Sequence, residues 1–202
     1  MLEARDKYTY TSLALAVSVG HVSMTSLLLD EGADIEARAS DGSTPLSIAA
    51  RRGKDGVVKL LLEKGADIEA ENQCGDSPLL RACNYGHMGI IKQLIDAGAD
   101  IQTRTYDGST PLSAAARKGR EGLVKLLLEK GADIDAKDHS GDSPLSRACI
   151  YDHMGVVRML IDEGATVDVR NKQGKTPLQL AEKNAKTGVI NMLQNHLATK
   201  GR

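Results

Sequence analysis

Two cysteines each stand four residues before a histidine, as Cys83 and His87 and as Cys149 and His153. A thiol and an imidazole at that spacing could form a nucleophile with its base, or two ligands of a metal. Four aspartates, Asp34, Asp67, Asp100 and Asp133, recur at a constant interval, and paired carboxylates can perform acid–base work. Two pairs of adjacent cations, Arg51-Arg52 and Arg117-Lys118, occupy matching places in "GSTPLSIAARRG" and "GSTPLSAAARKG", 66 residues apart. Glycines fall singly and form no phosphate-cradling loop, and no Lys/Arg-rich run marks a nucleic-acid footprint.

The segments that carry these residues recur with one period. The Ser or Thr at Thr11, Thr44, Ser77, Thr110, Ser143 and Thr176 recurs every 33 residues, as does the series Gly32, Gly65, Gly98, Gly131 and Gly164. Thr44 suits a helix N-cap and Pro45 the first helical turn, so "PLSIAARR" is expected to be a short helix stopped by Gly53. Ala49 and Ala50 are small enough for a neighbouring helix to approach closely. "DGVVKLLLEK" carries Val57, Val58, Leu60, Leu61 and Leu62, an apolar stripe too wide for a lone surface helix. Gly65 fits the left-handed residue after it, and the polar loop that follows turns one apolar residue, Ile68, inward. One such unit cannot bury its stripe, whereas stacked units can.

The stack expected from these units is all-α. The chain of 202 residues has no Trp, no Phe and five Tyr, so aliphatic side chains must build the core. A net charge of −1 offers no global attraction for nucleic acid or anionic membrane. No apolar run approaches the roughly 20 residues of a membrane span. Three cysteines without paired spacing, and a start at Met1-Leu2-Glu3-Ala4-Arg5 that is no signal peptide, fit a reducing compartment, cytoplasmic or nuclear rather than secreted.

The pattern Thr44-Pro45-Leu46, Ala49-Ala50, Gly53, Val57-Val58, Leu60-Leu61-Leu62, Gly65-Ala66-Asp67 resembles the ankyrin repeat, and the resemblance covers the whole chain in six registers. It implies an ankyrin-repeat solenoid of helix–turn–helix units with connecting β-turn or hairpin loops, in one domain over 1–202. The repeats run over about 8–37, 41–70, 74–103, 107–136, 140–169 and 173–199, with 1–7 a remnant of a preceding repeat. Glu3-Ala4-Arg5 matches Glu36-Ala37-Arg38 at the same offset, so excision from a longer protein is expected. The histidine usual after "TPL" is replaced throughout, Asp152 stands where Gly is usual, and Thr9 and Ser12 depart in the first repeat. The third and fifth units match each other, as do the second and fourth, so a pair was copied as a block. The last unit, with Glu182 where others carry a small apolar residue, reads as a solvated cap.

In such repeats the chemical candidates fall at structural positions. Cys83 and Cys149 take the place of Ala50 and Ala116, a small buried position where a thiol is inert. His87 and His153 follow the helix-ending turn, where the resemblance implies a structural role. The aspartates become turn hydrogen-bonders. No catalytic residue, metal or cofactor is expected.

In this family the first helix and the turn before it line a concave groove. From each capping Ser or Thr through the residue after the helix-ending position there are ten cations and two carboxylates, a sum of +8, leaving −9 for the rest of the chain. Tyr85 and Tyr151 end first helices, while Tyr8, Tyr10 and Tyr106 lie in the turns. Tyr and Arg dominate many interfaces. The expected binding residues are therefore Arg51, Arg52, Arg81, Tyr85, Tyr106, Arg117, Lys118, Arg147 and Tyr151. The partner is expected to be a protein with an acidic segment or patch, taken up by a monomer. The alternatives are a polyanionic small molecule or nucleic acid, with Tyr stacking and Arg on phosphate, or a passive spacer between other domains.

Overall fold

The computed structural model describes residues 11–200, with side chains through residue 198. The expected remnant 1–7, together with Tyr8, Thr9 and Tyr10, lies outside the described residues. Within them are twelve helices and no strand: α1 (Ser12–Val19), α2 (Val22–Asp30), α3 (Pro45–Arg52), α4 (Asp55–Glu63), α5 (Pro78–Tyr85) and α6 (Met88–Asp96), then α7 (Pro111–Arg117), α8 (Glu121–Glu129), α9 (Pro144–Ile150), α10 (Met154–Asp162), α11 (Pro177–Lys183) and α12 (Thr187–Lys200). The chain divides into two compact units, Met1–Tyr106 and Asp107–Arg202. In the first, α3 packs between α1 and α5, and α4 between α2 and α6. In the second, α9 packs between α7 and α11, and α10 between α8 and α12. Each unit is thus two layers of stacked helices, as the 33-residue spacing requires.

Local chemistry sets the element ends. The Thr44 hydroxyl accepts from Ser47 N at 3.3 Å, and Ser77, Thr110, Ser143 and Thr176 cap their helices in the same way. In the last repeat Gln179 replies to Thr176 N at 3.1 Å, completing a capping box. The stripe buries as patterned: Val57, Val58 and Leu61 are almost wholly inaccessible, and Ala49 and Ala50 are sealed between first-layer helices. Ile68 departs from expectation. It is half-buried, and the loop's inward residues are Ala66 and Ala70, whose small side chains fit beneath the backbone. Glu182 is exposed where Ala50 is buried.

First-layer helices end on a left-handed residue, which is Gly20, Gly53, Gly86 or Gly119 in four repeats but Asp152 (φ 65°) and Ala185 (φ 53°) in the last two. A side chain there costs about 1–2 kcal/mol, less for Asp. Glycine also loses about 0.5–1 kcal/mol more chain entropy on folding than alanine. Ala185→Gly is therefore expected to stabilise the protein by about 0.5–1 kcal/mol, read as a rise in the urea midpoint. A fall would show that the backbone is not held in this conformation.

Candidate partner-binding surface

At the end of α3 the chain presents Arg51, half-buried, and Arg52, exposed. One repeat on, Tyr85 ends α5 and is 55% exposed. These three residues line a recess of about 260 Å³. His87 fixes their spacing: its Nε2 lies 3.0 Å from the Arg51 carbonyl, and its ring stacks beside Tyr85 with centroids 6.3 Å apart. Gly53 permits that approach, since a Cβ there would come within 2.7 Å of the imidazole.

The second unit repeats the arrangement. Arg117 and Lys118 are exposed at the end of α7, and Tyr151 follows α9 at 48% exposure. His153 Nε2 lies 2.9 Å from the Arg117 carbonyl, and its ring stacks beside Tyr151 at 6.5 Å. Burial first, then the charges of Arg120 and Arg117, press the Lys118 ammonium below its ordinary pKa range. Cations crowded in this way are relieved by an arriving anion.

Two expected cations do not belong to this surface. Arg81 is turned inward, its Nη2 2.9 Å from Asp41 and from the Ser43 hydroxyl, with Asp76 at 3.7 Å. Arg147 is held by Asp138 through Nε at 2.8 Å and through Nη2, with Asp142 at 3.6 Å. Their side chains keep only 13% and 20% of their accessibility. The physical reason is their place mid-helix, where a long side chain reaches the acidic turn beside it and leaving the charge unpaired would be costly. Burial alone would raise the Asp41 carboxyl, but the Ser43 hydrogen bonds and then the Arg81 and Arg51 charges outweigh it and hold the group below its ordinary value. Tyr106 stands apart as well. It is exposed, lies against Gly75, and its N–H donates to the Cys74 carbonyl at 3.4 Å, so it belongs to the turn and not to the recess.

The chemical candidates settle into structural roles. Cys83 and Cys149 are fully buried, and burial pushes the Cys149 thiol up to about 12. The imidazole that could serve it as a base is engaged with a backbone carbonyl. Asp34, Asp67, Asp100 and Asp133 each accept from the backbone N–H two residues on, at 2.8–3.1 Å. Among the described residues no group of three His, Cys, Asp or Glu could hold a metal, and no helix is long and apolar enough to cross a membrane.

Sequence reasoning missed one periodic set. Glu36 accepts from Asp67 N at 2.7 Å, Glu69 from Asp100 N at 2.7 Å, and Asp135 from Thr166 N at 3.0 Å. Each carboxylate ties one repeat to the next. Their own 33- and 66-residue spacing was the available signal.

The family model "Ankyrin repeats (3 copies)" matches residues 2–72, 67–138 and 135–201. No curated protein matches the chain.

Proposed function

We infer the function of this chain from its family: it belongs to the ankyrin repeats, which are generally protein–protein interaction modules and typically non-catalytic. The protein is a non-catalytic binding module that takes an acidic, extended segment of a protein partner, in a reducing compartment such as the cytoplasm. The observation that carries this reading is the recurrence of one cluster: Arg51, Arg52 and Tyr85 converge on a recess in one unit, and Arg117, Lys118 and Tyr151 take the matching places in the other. The cations steer the partner, and the tyrosines, each braced by a histidine, hold it. Arg81 and Arg147 act behind this surface by neutralising the turns.

The test is charge reversal at Arg51, Arg52, Arg117 and Lys118, all to Glu. Arg52, Arg117 and Lys118 are exposed, and exposed charges carry about 0–1 kcal/mol each, so the unfolding midpoint should move little beyond the cost at half-buried Arg51. Association with an Asp/Glu-rich peptide should slow at least about tenfold. Tyr85→Ala and Tyr151→Ala should instead speed its dissociation about tenfold each, the equivalent of 1–2 kcal/mol. A reversal variant that binds the peptide as fast as the parent overturns the reading. The crowding at Lys118 also suits phosphate, and a steep linear loss of affinity with salt would assign the surface to a polyanion instead.

A further inference from the structure

A second surface lies among the second-layer helices of the unit 107–202. A furrow of about 560 Å³ runs between α8 and α10, from Glu121 and Met154 at one end to Asp162 and Glu163 at the other. An adjoining hollow of about 270 Å³ extends it past Leu128 and Glu129. The floor is apolar and soft: Met159 belongs to both hollows, Leu128 is half-buried beside it, and Met154 is 44% exposed. Around it stand four carboxylates, Glu121, Glu129, Asp162 and Glu163, against two cations, Lys125 and Arg158. Lys125 is directed at Glu129, 3.9 Å away on its own helix. The rim therefore has a formal charge of −2.

The equivalent furrow of the other unit is built differently. Lys59, Leu62, Glu63, Gln93 and Asp96 line about 410 Å³ between α4 and α6. Gln93 replaces Met159, and Ala97 stands where the other furrow has Glu163, so the lining has two carboxylates against one cation. The methionine in the floor and the larger excess of acid are thus properties of one furrow, not of the fold.

We propose that the furrow between α8 and α10 docks a basic amphipathic helix of a protein partner, beyond the acidic-segment binding assigned to the first-layer cations and tyrosines. The charge of the rim selects the sign of the partner, and the floor selects its apolar face. Apolar side chains at i, i+3, i+4 and i+7 would enter between Met154 and Met159, whose flexible thioethers adapt to irregular shapes. Lys and Arg stems would lie over the apolar edge with their charged ends at the carboxylates. The flanking helices have nine residues each, so the furrow is roughly 13 Å long and takes about two and a half turns of ligand.

The test uses the full chain and a synthetic peptide of about 12 residues, with Leu at those four spacings and Lys or Arg elsewhere. A scrambled peptide of the same composition is the comparison. The amphipathic peptide should bind at least about tenfold more tightly than the scrambled one, a difference of 1.4 kcal/mol. The double variant Asp162→Lys/Glu163→Lys places cations at a helix C-terminus, which favours the fold, and should lose at least about tenfold in affinity. Met159→Gln installs the residue the other unit carries and should weaken binding several-fold. Asp96→Lys and the four-fold recess reversal should leave it unchanged, which separates failure here from failure of the proposed function. Equal binding of the two peptides, equal binding by the double variant, or no binding of the amphipathic peptide would each overturn the proposal.

Discussion

Asp138→Ala is expected to destabilise the protein by about 3–5 kcal/mol, as the removal of one partner from a buried ion pair does. The Asp138 side chain keeps 1% of its accessibility. One of its oxygens accepts from Ser140 N at 2.8 Å and from Asp142 N at 3.1 Å, while the other takes the Arg147 guanidinium. Burial would lower the Arg147 pKa, but the hydrogen bond and charge of Asp138, then the charge of Asp142, raise it. Alanine leaves two turn N–H groups without their acceptor and a largely buried cation with one distant carboxylate. Asparagine is the informative contrast. In the third repeat Asn72 occupies this place and accepts from Cys74 N and Asp76 N at 2.9 Å each. Asp138→Asn should therefore keep the turn and lose the charge pairing alone, at a clearly smaller cost. Urea unfolding of the two variants checks this. Equal losses would mean that the turn bonds contribute nothing, and a loss below about 1 kcal/mol for alanine would mean that Arg147 is not held as described.

Leu61→Ala is expected to cost about 2–5 kcal/mol, since Leu61 is fully buried and truncation leaves a cavity that stacked helices cannot close. Its equivalents Leu94, Leu127, Leu160 and Leu193 are also at 0%. Leu28 occupies the same register in the first repeat and is only half-buried. Leu28→Ala should cost distinctly less. Urea midpoints of the two variants decide the matter, and equal losses would show that the first repeat is packed as tightly as the second. Met24 points the same way: it is 49% exposed, whereas Val57, one period later, is at 1%.

That pair of leucines marks the limit of what residue order determines. The 33-residue period, the Ser/Thr caps, the prolines that open the first helices and the glycines that end most of them were legible, because each is a local demand of backbone geometry. The core stripe was legible because an apolar face that wide must be covered, and the aspartate turns because a short carboxylate reaches only its own backbone. Burial at a given repeat was not, since Leu28 and Leu61 have nearly the same neighbours in the chain and different neighbours in space. The cations divide for the same reason. Arg52 and Arg81 both lie on first-layer helices, but their offsets within the repeat differ. The last-turn position of Arg52 opens outward, whereas the mid-helix position of Arg81 faces Asp41, 40 residues earlier. Residue order alone was enough to specify helical repeats with a surplus of positive charge on their first helices. Which of those charges remain exposed and which neutralise buried acids emerged in the folded chain, because pairing depends on distances across repeats that no spacing along the chain encodes.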